Sequence, residues 1–275
     1  MAHTAQERYS NLVDIKLRHT LVKKDGVIFN NRYEGSPKAG SVKVPVRDTE
    51  VTVADYNKAS GVAGTSGTTT YLAVPIDKDK SVNEIIDGFD AASVPDNLVA
   101  DRLDSAGYSL AYQMEQDATT VLEAKATATG TTTALTKATV YEAIVDARTA
   151  LSKAKVPNDG KRFLLVSPDV YALVLKSPEF IKASDLGDTV TQTGAVGKIA
   201  GFLVFEDATL SATTEFIAGH PNWCTRIKEW SVPVHVQDIS GSGKYIGASA
   251  VQGRMVYAHA VTKAATLLIK QKSSS

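Results

Sequence analysis

Apolar positions along this chain follow two rhythms. From Ser93 to about Ala126, apolar or small residues recur at Val99, Leu103, Ala106, Leu110, Met114, Ala118 and Val121, steps of three and four that draw one helical face. Ser93, Pro95 and Asp96 open the run as a cap, a first-turn proline and a carboxylate at the positive end of the helix dipole. At a 1.5 Å rise, a run of about 30 residues is about 45 Å long, more than the roughly 30 Å diameter of a small domain. The stretch reads as a spine. A charge at Leu110 is expected to unfold the subunit.

The second rhythm has period two. Residues 41–47 and 70–76 alternate at Val42, Val44, Val46 and at Leu72, Val74, Ile76, carry Pro45 and Pro75, and flank a Gly/Ser/Thr-rich tip at 58–68. They predict a long β-hairpin near a sheet edge, where a proline removes no needed donor. A two-stranded ribbon is marginal alone in water and needs a surface to lie on. That surface is expected to be another copy of the chain, contacted through these six residues, so that Val44→Asp or Val74→Asp blocks assembly and leaves the monomer folded. Upstream, residues 9–33 mix apolar positions with Lys16, Arg18, His19, Lys23 and Lys24. Their imperfect periodicity reads as a short helix or strand in an extended arm, its basic cluster solvated or facing a partner's carboxylates rather than phosphate.

Ser81 to Glu84 match a capping box ahead of Ile85 and Ile86, which predicts a short helix leading to the spine. Residues 127–133, rich in threonine around Gly130, end the spine, and Thr136 caps an amphipathic helix with Val140, Ile144, Ala147, Leu151 and Ala154 on one face. After a turn at 156–160 the pattern becomes α/β: an apolar strand at 162–166, helix starts at Ser167-Pro168 and Ser177-Pro178, a glycine-rich loop at 187–197 and a strand at 199–205. Further strands are expected at 215–218, at 226–237 and in the tail 244–270, after a turn at 241–243, and the final serines read as disordered.

Thirty basic residues balance thirty acidic ones, so no net field draws the protein to nucleic acid or to an anionic membrane. A single cysteine, Cys224, excludes an internal disulfide framework, and the chain shows neither a signal-peptide layout nor an apolar run of spanning length. A soluble protein made in the cytoplasm is expected. The five histidines form no metal-binding spacing; Pro221 interrupts His220 and Cys224, and Cys224 reads as a small buried hydrophobe. Two loops, Ser240 to Lys244 and Gly194 to Lys198, resemble phosphate loops but have Asp238 and Gln192 where the first glycine belongs, and Tyr245 and Ile199 where Ser or Thr belongs. No catalytic constellation, cofactor or metal site emerges, and the chain reads as a structural protein rather than an enzyme.

The block 160–205, from Gly160-Lys161-Arg162 through Ser167-Pro168 to Gly194–Phe205, resembles the major capsid proteins of tailed bacteriophages with the Hong Kong 97-type fold, and Phe216–Pro221 and Tyr245–Ile269 are similar too. The order of segments carries the resemblance across nearly the whole chain. It implies an α+β fold with an N-terminal arm (1–34), an extended β-hairpin loop (35–80), a peripheral domain with the spine helix (81–159), an axial α/β domain (160–243) and return strands of the peripheral domain (244–275). It further implies a viral coat protein that self-assembles as pentamers and hexamers into an icosahedral virion shell. That shell would enclose double-stranded DNA without sequence-specific binding and be assembled in the bacterial host cytoplasm with a scaffolding protein and a portal. The alternatives are an encapsulin-type compartment shell, a cytosolic α/β hydrolase using Cys224 or a serine, and a phage tail or adhesin protein. The arm and hairpin loop favour the phage shell.

Overall fold

A computed structural model describes residues 16–33, 40–47, 50–64, 66–94, 97–177 and 197–273. Strands β1 (Ser41–Val46) and β2 (Thr70–Pro75) form the expected antiparallel ribbon, in register from Ser41 opposite Pro75 to Val46 opposite Thr70. No third strand pairs with it among the described residues.

Residues 81–86 correct the sequence reading. They belong to a strand, β3 (Lys78–Ile86), and not to a helix. Every second residue of β3 turns inward, including Val82, Glu84 and Ile86, and the strand pairs along its whole length with residues 249–257. A nine-residue ladder outweighs a single reciprocal cap. The carboxylate of Glu84 takes both Nε and Nη2 of Arg102 at 2.7 Å.

Helix α1 (Gly88–Ser93) follows, capped by Asp87, and then α2 (Leu98–Lys125), 28 residues or about 42 Å long. The long helix starts later than expected because Ser93 closes α1, and Asn97, at φ 50°, is the cap; Pro95 and Asp96 lie outside the described residues. Ala106, Leu110, Ala118 and Leu122 form its buried face, while Val99, Leu103, Met114 and Val121 are half-buried. Glu115 and Thr119 are buried with them, polar positions that an apolar count passes over.

The strand β4 (Thr127–Ala128) precedes helix α3 (Val140–Lys153), whose Val140, Ile144, Ala147 and Leu151 are buried as the spacing predicts; Ala154 is exposed. Next come β5 (Phe163–Val166) and α4 (Pro168–Leu175), whose cap Ser167 accepts from the Val170 amide. The predicted strand at 199–205 is a hairpin, β6 (Lys198–Ile199) and β7 (Phe202–Glu206), turning at Ala200 and Gly201, both at positive φ as a tight primed turn requires. The expected helix start at Pro178 and most of the glycine-rich loop lie outside the described residues. Strands β8 (Thr214–Gly219), β9 (Cys224–Asp238), β10 (Ser249–Val261) and β11 (Leu267–Gln271) complete the chain.

Two sheets share the long helix. The order β4-β11-β8-β5-β7-β6 makes a six-stranded sheet, and β3-β10-β9 a three-stranded one. In the larger sheet Leu164 and Val166 of β5 face α3 and α4, whereas Phe163 and Leu165 face Ala118 and Leu122 of α2 with Ile28 and Phe29 of the arm. A strand covered on both faces must be apolar throughout, which is why it reads as an unbroken run. The smaller sheet packs Ile86 and Val251 against Ala106 near the other end of α2.

These pairings cut across the boundaries expected at 80, 159 and 243. The strand β3 spans position 80, α3 packs on the six-stranded sheet, β9 pairs with β10, and β11 lies beside β8. Long-range strand partners decide membership here, and local composition carries no record of them.

Candidate functional site

The hairpin and the arm are the two segments whose burial needs explaining. At the ribbon's base, Val44 and Val74 are only 1% and 4% exposed, packed on Ile227 of β9 and Ala258 of β10 with Val42, Ile76 and Tyr33 beside them. The surface under these residues is the subunit's own sheet. That corrects their expected role: Val44 and Val74 are already committed within the chain, and an aspartate at either position is expected to lift the ribbon off its own subunit. Val42, Val46 and Ile76 are half-buried, and Leu72 is exposed.

Further out the ribbon changes character. Val51, Val53 and Tyr56 are 88%, 94% and 75% exposed, and Tyr71 stands out from β2. The tip is locally ordered, since the Asn57 carbonyl accepts from the Gly61 amide at 2.7 Å and its side chain from the Ala59 amide at 2.8 Å. An exposed apolar series on one projecting element is the usual mark of an interaction surface. In the sequence Val51 and Val53 alternate with each other but out of phase with 42–46, where Asp48 and Glu50 hold the in-phase positions.

The arm runs parallel to α2, its contacts advancing from Lys16 at Asp101 to Val22 and Lys23 at Glu115. Lys16 meets Asp101 at 2.6 Å, Arg18 meets Asp104 at 2.5 Å, and the Tyr108 hydroxyl donates to the His19 carbonyl at 3.1 Å. The basic cluster therefore faces its own chain's carboxylates, while Lys24 is solvated. The Arg18–Asp104 contact raises the guanidinium and lowers the carboxyl, yet both groups are open to solvent, whose screening leaves such a pair little weight in stability.

Deeper in, the Lys23 side chain is fully buried and reaches Asp207, Thr209 and Glu115. His19, Glu115 and Asp207 also bring ligand-type atoms close together. The donor set does not suit a metal. Glu115 Oε1 accepts from the amides of Val22 and Lys23, Asp207 Oδ1 accepts from the amide and hydroxyl of Thr209, and the Lys23 ammonium already takes the cation's place on Asp207. The cluster is a lock between arm, long helix and the loop after β7.

The groups considered for chemistry are structural. Cys224 is buried and its thiol is pushed up to about 12 by burial, so thiolate is scarce at neutral pH. An alkylating thiol reagent is expected to leave the native protein unmodified for hours and to label it promptly in denaturant, as mass spectrometry reads directly. The buried ring of His220 accepts from the Asn222 amide and pairs with Asp159 at 3.0 Å. In the loop 240–244 the Ser240 amide donates to Asp238 at 2.8 Å, so a carboxylate sits where a phosphate would need to bind. Most of the other glycine-lysine loop lies outside the described residues. A cavity of about 640 Å³ opens beside α3, floored by Ala147 and Phe216, but no histidine or cysteine lines it, and the Lys270 ammonium there is held by the carbonyls of Thr131 and Thr133. Among the described residues no helix is long and apolar enough to cross a membrane.

Comparison with known proteins gives the arrangement its context. The sequence model of the family described as phage capsid protein matches residues 81–266, about two thirds of the chain. A structure from Mycobacterium phage Che8 superposes with a TM-score of 0.81 at 21% identity, covering 98% of each chain. The capsid structure of the cyanophage P-SCSP1u gives 0.81 at 13% identity, covering 98% of this chain and 93% of that one. The capsid of an empty GTA particle gives 0.72 at 13% identity, covering 98% and 96%. No curated protein matches by sequence. These structures share the fold, and the family match runs from within β3 through the long helix to the end of β10, stopping just before β11. The chain belongs to the phage capsid protein family and is a structural subunit of a phage capsid.

Proposed function

We propose that copies of this subunit close as pentamers and hexamers into an icosahedral shell around double-stranded DNA, in the Hong Kong 97-type arrangement. In this reading α2 is the spine, the three-stranded sheet lies at the periphery of each capsomer and the six-stranded sheet near its axis. The observation that carries it is the outer ribbon, where Val51, Val53 and Tyr56 project without cover from the subunit's own body. A repeated shell supplies a neighbour for that surface at every position. The zero formal net charge fits a container whose hold on DNA is not sequence-specific. Shell size is set by a separate scaffolding protein, DNA enters through a portal, and assembly takes place in the host cytoplasm.

Sedimentation at several concentrations, with negative-stain electron microscopy of the same fractions, tests the proposal. Closed shells or rings of five and six are expected, irregular in size when the chain is produced alone. A concentration-independent monomer or dimer contradicts the shell, and shells of one uniform size from this chain alone contradict the separate scaffold.

A further inference from the structure

The arm is held by a second buried network whose chemistry the shell reading does not use. Arg226 of β9 is buried and reaches three ways: its Nε donates to His259 Nε2 at 3.0 Å, its Nη1 to Asp25 at 2.7 Å and its Nη2 to the Lys23 carbonyl at 2.9 Å. Its guanidinium lies 4.8 Å over the Phe29 ring, and that ring stands 5.0 Å from the His259 ring. Residues 30, 224 and 226 continue the attachment: the Asn30 amide donates to the Cys224 carbonyl, and the Arg226 amide donates to the Asn30 carbonyl, each at 2.8 Å. One side chain therefore clamps the arm, and one imidazole props that side chain.

An arginine has no acceptor, so His259 Nε2 must carry the lone pair and the ring must be neutral. Its Nδ1 is buried with no hydrogen-bond partner. A proton added at Nε2 would set a donor against a donor and a second positive charge beside the guanidinium.

We propose that His259 is a proton-operated release for the arm: when its ring charges, Arg226 loses its acceptor, the clamp on Lys23 and Asp25 opens, and residues 22–30 lift from the body. The groups around the ring favour this sense. Lys23 and Asp25 face it from the arm, Arg226 from β9, Lys78 from β3 and Tyr257 from β10, where the Tyr257 hydroxyl is held by Asp117 of α2. Three cations against the nearer carboxylate Asp25 oppose a further positive charge. Burial, and then Arg226, pull the docked ring down to about 3. A histidine freed by arm release titrates near 6.5, so the open state binds one more proton between these values. Docking is then at full strength above about 6.5 and weakens as pH falls toward 3. At pH 5 the arm's docking constant is expected to be about thirtyfold lower than at pH 8.

Hydrogen exchange of the full-length protein, read by mass spectrometry with each rate normalised to the unstructured rate at that pH, tests the release. Between pH 8 and pH 5, protection over residues 22–30 is expected to fall about thirtyfold while residues 163–166 and 214–219 keep theirs. His259→Gln, neutral at every pH and still able to accept from Arg226, is expected to abolish that fall. An equal fall in His259→Gln overturns the proposal, as does loss of protection in the core strands in step with the arm. Should the variant not fold, the wild-type series over the same range decides: arm opening must take up one proton, and a flat profile overturns the proposal.

Discussion

Lys23→Met is expected to destabilise the subunit by about 3–5 kcal/mol, the cost of leaving a buried charge without its partner. The methionine fills much of the lysine's volume, so packing is nearly conserved and the electrostatic loss dominates. Glu115 and Asp207 would then share an interior site with no buried cation between them, each still held by backbone amides that fix it in place. Lys24→Met, one residue on and exposed, is the control and should change stability by less than about 0.5 kcal/mol. Urea unfolding of the unassembled subunit measures both, with the midpoint falling and the slope unchanged. Equal midpoints for the two variants would mean that the lock does not hold the arm.

The second large effect is expected on the ribbon. Val51→Asp combined with Val53→Asp should leave the subunit's melting temperature within about 1 °C, since both side chains are almost fully exposed in the isolated chain. Assembly should fail. Each valine buried between subunits is worth about 1.5–3 kcal/mol, and replacing it with a carboxylate adds the cost of stripping water from a charge. That corresponds to at least about a tenfold loss per contact, repeated around every capsomer. Val44→Asp is expected to behave in the opposite way, because Val44 is packed on Ile227 and Ala258 of its own subunit. It should lower the melting temperature before assembly is reached. Light scattering for assembly and calorimetry for the subunit separate the two. Normal assembly of the double variant would remove the outer ribbon from the interface.

How much of this was legible in the residues depends on where each constraint acts. The long helix, α3 and β5 could be read because their burial is set by one face or by complete enclosure, and both leave a periodic or unbroken apolar trace. The strand β3 was hidden because Ser81 and Glu84 satisfy a local helix signal, while its partner strand lies some 170 residues away. The start of the long helix moved because Asn97 caps from a left-handed conformation that composition does not announce. The ribbon was found, but its partner was misjudged at the base: alternation says which face is apolar and nothing about whose surface covers it. The arm lock went unread for a similar reason. Lys23, Glu115, Asp207 and Arg226 look like ordinary surface charges in sequence, and only the fold brings them into one buried place.

The most direct test of the central claim is an electron cryomicroscopy map of the assembled particle, followed to residues 50–64. A closed shell of pentamers and hexamers is expected, with Val51, Val53 and Tyr56 buried against a neighbouring subunit and Val44 still on its own sheet. A shell in which those three side chains face solvent, or contact only their own subunit, would contradict the account.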